Sequence, residues 1–280
     1  MTNSYDLPFG IDVSRYQGVI DWDVIAAHEP KVEFVGIRAA ISWGYKDTYL
    51  DHNWAEAKRV KIPRAAYHVF YPGEDPKRQM DHFIACLNGD MGELPLALDC
   101  ELDHDVPYAT ISKNIASAAY YLETVTECKP IIYTRANWVD QYITGNNPTH
   151  WWEKKKTPPT WLAAFDFWLA QYLLNGEEHS GPPTLPGGVS RNQVVVHQTS
   201  GSGEPFGVES GALDYNRWQF EKAHLDVYAG RNGITPVHDD DPEQDWGLLL
   251  DEARDCESCA EEAYLQAQVV RKKVETLLAV

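Results

Sequence analysis

Leu94-Pro-Leu-Ala-Leu-Asp-Cys-Glu101 is a short apolar run that ends in two acidic residues, Asp99 and Glu101. Residues two positions apart on a β-strand lie on the same face, so a strand here directs both carboxyl groups to one side. A buried pair of acids is unfavourable unless chemistry, hydrogen bonds or a cation compensates. The segment therefore predicts a buried strand that carries a functional pair of acids at its end.

Seven other apolar runs end near a polar or acidic residue in the same way, and they bring the candidate strands to eight. These seven are residues 9–13, 34–38, 64–70, 131–133, 167–172, 194–198 and 212–215. Amphipathic stretches suited to helices lie between several of them, at residues 22–28, 53–61, 76–87 and 110–126. The alternation predicts an α/β fold with a parallel sheet, and eight strands predict a TIM-like (β/α) barrel with its active site at the carboxyl ends of the strands. Because the helical pattern fades after the fifth strand, we expect the last part of the barrel to be irregular.

Four acids fall at or near the ends of candidate strands: Asp12, Asp99, Glu101 and Asp214. When two carboxyl groups lie close together, the negative charge of one raises the pKa of the other, which leaves an anion beside a proton donor. Hydrolysis of a glycosidic bond requires this combination. A structural or calcium-binding role is the alternative interpretation of the Asp99 and Glu101 pair.

Two histidines, His68 and His197, raise the question of a metal site formed with these acids. The sequence contains no His-x-x-Glu-His motif or similar ligand spacing, which zinc enzymes use. We therefore expect no metal and no other cofactor.

Several motifs resemble one known family. Gly10-Ile-Asp-Val-Ser-Arg-Tyr-Gln-Gly18, followed by Ile20-Asp-Trp22, is similar to the opening signature of glycoside hydrolase family 25, the phage and bacterial muramidases. Further segments match that family in order, over roughly residues 7 to 220: 66–68, 99–101, 168–172, 198 and 213–216. The resemblance implies an irregular barrel that cleaves the β-1,4 bond between N-acetylmuramic acid and N-acetylglucosamine in peptidoglycan. It also implies Glu101 as general acid, with Asp12, Asp99 and Asp214 completing an acidic floor.

Two mechanisms and two other functions stay open at this point. Either the N-acetyl group of the substrate attacks its own anomeric carbon while Asp99 orients it, or a carboxylate activates water; the resemblance favours the first. We expect the three aspartates to be ionised around Glu101. A chitinase-like hydrolase also uses an Asp-x-Glu strand, but Pro95 and Ala97 stand where such enzymes carry further acids. A non-catalytic wall-binding or phage structural protein on the same barrel is the competitor from another class.

Aromatic and amide side chains near the predicted strand ends are candidates for contacts with the sugar. The predicted substrate-binding residues are Tyr67, Tyr133, Trp168, Gln171, Tyr172 and Gln198. Aromatic rings stack on sugars, and a tyrosine hydroxyl can reach an N-acetyl group; ordinary core packing is the alternative for each ring. The second strand departs from the family pattern, because Arg38-Ala-Ala stands where many relatives carry a Lys-Ala-Thr-like segment.

The chain divides into three predicted parts. Residues 1–222 suit one catalytic barrel, and residues 223–244 are rich in acids and helix breakers and are typical of a linker. In residues 245–280, apolar and small residues alternate at spacings of three and four over four heptads, which predicts a coiled-coil-type helix for self-association or docking onto the barrel. Cys256 and Cys259 lie on this predicted helix, where an interchain bridge at the seam is an open alternative.

Charge and composition exclude several classes of binding partner and of protein. The net charge of −18 and the lack of a basic patch argue against nucleic acid. Five scattered cysteines argue against a disulfide framework. No N-terminal signal peptide and no segment long enough to span a membrane are apparent. We therefore expect a protein made in a host cytoplasm that acts on the bacterial cell wall, or one associated with a virion.

Overall fold

The computed structural model describes residues 6–146, 154–173 and 177–230. The predicted C-terminal helix over 245–280, with Cys256 and Cys259, lies outside the described residues, and so does most of the predicted linker. The coiled coil and the self-association that it would support therefore stay predictions.

Eight of the nine strands in the described residues close into a barrel. In chain order the strands are β1 Phe9–Val13, β2 Val32–Ile41, β3 Tyr45–Lys46, β4 Arg64–Val69, β5 Ala97–Asp99, β6 Ile131–Thr134, β7 Asp166–Ala170, β8 Val194–Gly203 and β9 Leu213–Trp218. The sheet closes because β1 pairs with both β2 and β9. The short β3 pairs with the end of β2 as a hairpin. All eight predicted strands are present, which confirms the irregular α/β barrel.

The four predicted helices are also present, and they lie in the first half of the barrel. The helices are α1 Trp22–Ala27, α2 Leu50–Arg59, α3 Pro76–Cys86, α4 Tyr108–Thr126, α5 Ala136–Trp138 and α6 Lys222–Ala229. After β6 the chain forms only the short α5, a π-helical turn and two 3-10 turns before β8, in the residues that the structure describes. This matches the fading helical pattern. No helix in the described ranges is both long and apolar enough to cross a membrane.

The last strand differs from the sequence-based expectation of a parallel sheet. β1, β2, β4, β5, β6, β7 and β8 run parallel, but β9 is antiparallel to both of its neighbours. Residues 204–212, which join β8 to β9, contain no helix. A connection of this length supports a hairpin, whereas a parallel crossover requires a dozen or more residues.

The first residues of the predicted linker form α6, beyond the expected barrel boundary at 222. The side chain of Tyr228 packs edge-on against Trp218 of β9, with ring centroids 5.0 Å apart, and its hydroxyl donates a hydrogen bond to Asp166 at 2.6 Å. Leu225 is fully buried beside them. α6 therefore belongs to the barrel.

One glycine determines how the barrel interior is filled. A Cβ at Gly36 would lie 2.5 Å from Cη2 of Trp168 and 3.1 Å from Cβ of Asp12. Neither the indole nor the backbone of β1 can move away easily, so only a glycine fits beneath the Trp168 ring. The buried indole therefore lies in the barrel interior close to Asp12, and it lines the cleft described below.

Candidate active site

The barrel brings the four predicted acids to one rim. Asp12 and Asp99 lie at or next to the carboxyl ends of β1 and β5, and Glu101 follows β5 by two residues. Asp214 is the second residue of β9. Because β9 is antiparallel, its amino end lies at the same rim, and Asp214 pairs directly with Asp12 in the ladder. The sequence predicts Asp214 near the end of a strand, but it does not predict that this strand is antiparallel.

A cleft of about 340 Å³ opens at this rim. Eight of the ten predicted site residues line it: Asp12, Asp99, Glu101, Asp214, Tyr67, Tyr133, Trp168 and Gln198. Asp12 and Asp99 are buried at its floor, whereas the side chain of Glu101 is 35% exposed. A ligand in the cleft therefore reaches Glu101 more easily than either of these two aspartates.

Asp12 is held by a continuous chain of hydrogen bonds. The Tyr133 hydroxyl donates to Oε1 of Gln198 at 2.8 Å, and Nε2 of Gln198 donates to Oδ2 of Asp12 at 2.9 Å. From the other side, Nε1 of Trp168 donates to Oδ1 of Asn216 at 2.8 Å, and Nδ2 of Asn216 donates to the same Asp12 oxygen at 2.8 Å. Both amides are thus fixed with their N–H groups toward Asp12, which stabilises its anion.

Asp12 and Asp214 share a hydrogen bond between their carboxyl groups. Burial, together with the charge of Asp12 and the hydrogen bond to it, raises the pKa of Asp214 to about 8. Burial also raises the pKa of Asp12, but its hydrogen bonds to Asn216 and Gln198 oppose the shift. The proton of the pair therefore resides on Asp214, and at neutral pH the pair carries one negative charge.

Asp99 differs from its neighbours because it lacks partners. Its Oδ1 is buried and accepts no hydrogen bond from any described residue. Burial raises the pKa of Asp99 well above its ordinary value, and the charges of Glu101 and Asp12 add to this effect. Arg38 and Arg135 oppose it. The expectation of three ionised aspartates therefore needs correction, because a buried carboxyl group with close anionic neighbours holds its proton.

Two tyrosines supply neutral hydroxyl groups to the cleft. Burial raises the pKa values of both Tyr67 and Tyr133 well above 10, and nearby carboxylates add to the shift. Both rings therefore keep their hydroxyl protons. The Tyr133 ring meets the Trp168 indole edge-on, with centroids 5.5 Å apart, which fixes its direction.

Gln171 and Tyr172 do not line the cleft. The Gln171 side chain accepts from the backbone N–H of Thr184 at 2.7 Å and contacts the ring of His179 at 3.1 Å. Side chains alternate along a strand, so Trp168 points into the barrel and Gln171 points away from it. Tyr172 is 38% exposed, and its ring packs against Gly201: a Cβ at Gly201 would lie 3.2 Å from Cζ of Tyr172.

Three side chains near the acids were missed at the level of sequence. Arg38 and Tyr16 line the cleft, and Nη2 of Arg135 lies 3.5 Å from Oε2 of Glu101. Arg135 directly follows β6, so its position at a strand end was an available signal. Arg38 was noticed only as a departure from the family pattern.

The two histidines lie away from the cleft. His68 is buried and contacts Gln79 of α3 at 3.3 Å, and burial lowers its pKa to about 3. His197 contacts the carbonyl oxygen of Gln171 at 2.8 Å, and burial lowers its pKa to about 4. Both rings are therefore neutral and structural. Within the described ranges, no group of three or more His, Cys, Asp or Glu side chains is arranged to hold a metal ion.

The raised pKa of Asp214 predicts a pH-dependent stability. Asp214 binds its proton more tightly in the folded protein than in the unfolded chain, whose carboxyl group titrates near 3.8. This contribution is fully present below that pH, and the free energy of unfolding falls as pH rises from about 4 to about 8. In Asp214→Asn, the amide replaces the protonated carboxyl, so we expect the variant to gain about 4 °C in Tm over the wild type between pH 5 and pH 8.

Thermal unfolding followed by circular dichroism at both pH values measures this difference. Asp51→Asn is the control, because the Asp51 side chain is 83% exposed. If the Tm values of the wild type and Asp214→Asn changed by the same amount between pH 5 and pH 8, Asp214 would not hold the proton of the pair.

Known proteins with similar sequences and folds support one family. The sequence is 29% identical over 166 residues to the uncharacterized protein YegX of Escherichia coli (strain K12), which is 57% of this chain and 61% of YegX. The chain thus spans less than two thirds of the length of that curated relative. It is also 28% identical over 228 residues to lysozyme M1 of Streptomyces globisporus, which is 77% of this chain and 69% of that protein.

A solved structure has the same fold. The bacterial lysozyme from Streptomyces coelicolor superposes with a TM-score of 0.65 at 24% identity, over 81% of this chain and 98% of the lysozyme. The sequence model of glycosyl hydrolases family 25 matches residues 11–208. These are the residues that build the barrel from β1 through β8 and contain three of the four acids. The chain therefore belongs to glycosyl hydrolases family 25.

Proposed function

We propose that the protein is a muramidase, a peptidoglycan hydrolase that cleaves the β-1,4 bond between N-acetylmuramic acid and N-acetylglucosamine. The observation that carries this proposal is the set of four acids in one cleft: Glu101 is accessible, Asp12 and Asp99 are buried, and Asp214 is hydrogen-bonded to Asp12. Membership of family 25 supports the same substrate. A lectin-like protein needs no proton donor in such a cleft.

Glu101 acts as the general acid. Cleavage of a glycosidic bond passes through an oxocarbenium-like state, so the leaving oxygen must receive a proton as the bond breaks. The Glu101 carboxyl group lies at the open side of the cleft, where the bridging oxygen of a bound glycan would pass. After the first step the ionised Glu101 accepts a proton from the attacking water, which regenerates the general acid.

Asp99 assists the N-acetyl group of the substrate. The free Oδ1 of Asp99 is a buried acceptor, and the amide N–H of an N-acetyl group is a suitable donor. Asp99 serves as the base in its ionised form: a carboxylate whose pKa is raised is a stronger base than an ordinary aspartate, and it draws this amide proton as the carbonyl oxygen attacks the anomeric carbon. A ring intermediate follows, and its hydrolysis gives net retention.

The Asp12 and Asp214 pair supplies the remaining negative charge. Its hydrogen bonds are complete before substrate binds, so no reorganisation is required when positive charge develops on the sugar. Tyr133 and Gln198 hold this charge in position. We assign this activity to the lysis of bacterial cell walls, and a phage lysin is one protein of this kind. We also propose that residues 245–280 mediate self-association.

Product analysis tests the proposal. Purified full-length protein is incubated with peptidoglycan and with chitin, and the new reducing ends are reduced with borohydride and identified. We expect muramitol from peptidoglycan and no release from chitin. Reduced glucosamine ends from peptidoglycan or from chitin would assign a different glycosidase, and no cleavage of either polymer would support a non-catalytic wall-binding protein.

A further inference from the structure

The cleft contains a cationic and aromatic corner that the mechanism above does not use. It is formed by Arg38 on β2 and Tyr16 on the turn after β1, both of which line the cleft. The guanidinium carbon of Arg38 lies 5.0 Å from the centroid of the Tyr16 ring, and that of Arg15 lies 5.2 Å from the same centroid. One aromatic ring is thus in contact with two guanidinium groups, in a protein whose net charge is −18.

The Arg38 guanidinium has an unused donor. Its Nε donates to Oδ2 of Asp47 at 2.8 Å, and both side chains are almost fully buried. Its Nη2 is buried as well and donates to no described residue. Buried guanidinium donors are normally satisfied, because an unpaired one loses its hydration without replacement. This donor group therefore requires an acceptor that a ligand can bring.

Asp47 cannot turn to satisfy the second donor. Its Oδ2 also accepts from the backbone N–H of Arg15 at 3.1 Å, and its Oδ1 accepts from the backbone N–H of Tyr49 at 3.0 Å. These bonds fix the carboxylate on the hairpin formed by β2 and β3. Arg38 is consequently held with one side of its fork on Asp47 and the other side free.

The Tyr16 ring has the properties of a sugar platform. It is 66% exposed, the highest value among the large hydrophobic side chains that the structure describes. Its backbone is nevertheless fixed, because its N–H donates to Oγ of Ser14 at 3.2 Å within a capping box closed by Gln17. An exposed ring on a rigid turn at a cleft is suited to stacking against a sugar face.

We propose that Tyr16 and Arg38 form a subsite for the muramic acid side of the substrate, in which the sugar stacks on Tyr16 and a carboxylate accepts hydrogen bonds from Arg38. The inference rests on the proposed muramidase function and adds a specificity to it. Among the two sugars of peptidoglycan, only N-acetylmuramic acid carries a carboxyl-bearing side chain, either as the free lactyl group or within an attached peptide. Guanidinium and carboxylate form charge-assisted hydrogen bonds.

Matched substrates with and without the carboxylate test this subsite. Soluble peptidoglycan oligosaccharides are prepared in a peptide-free form and in a peptide-bearing form, and part of each is converted to the methylamide. We expect wild-type kcat/KM to be about tenfold higher for the carboxylate than for the methylamide in one of the two forms. A preference in the peptide-free form assigns the lactyl carboxylate, and a preference confined to the peptide-bearing form assigns the peptide.

Arg38→Lys tests the named residue, because lysine keeps the charge beside Asp47 but lacks the second branch of the fork. We expect this variant to cleave the carboxylate and the methylamide at about equal rates. Arg59→Lys is the control and should keep the wild-type preference, because Arg59 pairs with Glu56 and Asp23 instead. Tyr16→Ala should lower kcat/KM for both substrate forms alike. Equal wild-type rates on carboxylate and methylamide, or a full preference in a folded Arg38→Lys, would overturn the subsite alone, whereas no cleavage of any form would overturn the muramidase function.

Discussion

Glu101→Gln will lower the rate of peptidoglycan hydrolysis by about 10²- to 10⁴-fold, the range that general acid catalysis contributes. Glutamine fills the same space but carries no proton to give to the leaving oxygen. The fold should be unaffected, because the side chain is 35% exposed and its ion pair with Arg135 is long, at 3.5 Å. Release of reducing ends measures the rate, and thermal unfolding measures the fold.

Glu127→Gln is a matched control for this variant. Glu127 is an exposed residue that caps the end of α4, and it is not among the residues that line the cleft. Its substitution should leave the rate within about twofold of the wild type, as expected for surface positions. A Glu101→Gln protein with wild-type activity would remove Glu101 from the mechanism.

Asp99→Asn will lower kcat by about 10²- to 10³-fold, the loss typical when a group that stabilises developing charge is removed. KM should change much less, since the amide fits the same site. The stability should move in the opposite direction to the activity. The pKa of Asp99 is raised well above its ordinary value, so burial of its carboxyl group reduces the free energy of unfolding at pH 7. A neutral amide does not carry this penalty, and the variant should therefore be more stable.

Steady-state kinetics on soluble oligosaccharides and Tm at pH 7 together test this prediction. A loss of activity accompanied by a lower Tm would indicate a structural role for Asp99 instead. The stereochemistry of the first product, followed by NMR, provides an independent check on the route. Inversion at the anomeric carbon would exclude participation of the N-acetyl group, even if Asp99 proved essential.

Much of the barrel could be predicted because its strands are short apolar runs whose ends carry polar residues. The orientation of β9 could not be predicted from the run at 212–215 alone, since orientation depends on the length and structure of the preceding connection. The two-residue β3 is too short to produce a pattern. The sequence predicts a linker over α6 because the residues that follow position 230 are rich in acids and helix breakers.

The candidate site was predictable where the two-residue period of a strand applies. Asp99 and Glu101 share a side, as the spacing required, and Trp168 faces inward. The same rule would have excluded Gln171, which is three residues from Trp168 and points to the opposite side. The Arg38 and Asp47 pair could not be foreseen, because the hairpin that brings them together gives no distinct signal in the sequence.

The position of Trp168 links the packing of the barrel to its chemistry. The indole that fills the space above Gly36 is also the group that orients Asn216 toward Asp12. Attempts to engineer a more heat-resistant enzyme by redesigning the barrel interior would therefore disturb catalysis at the same time. The layer between the strands and α1 to α4 lies outside the barrel interior, so we expect stabilising substitutions there to disturb turnover less.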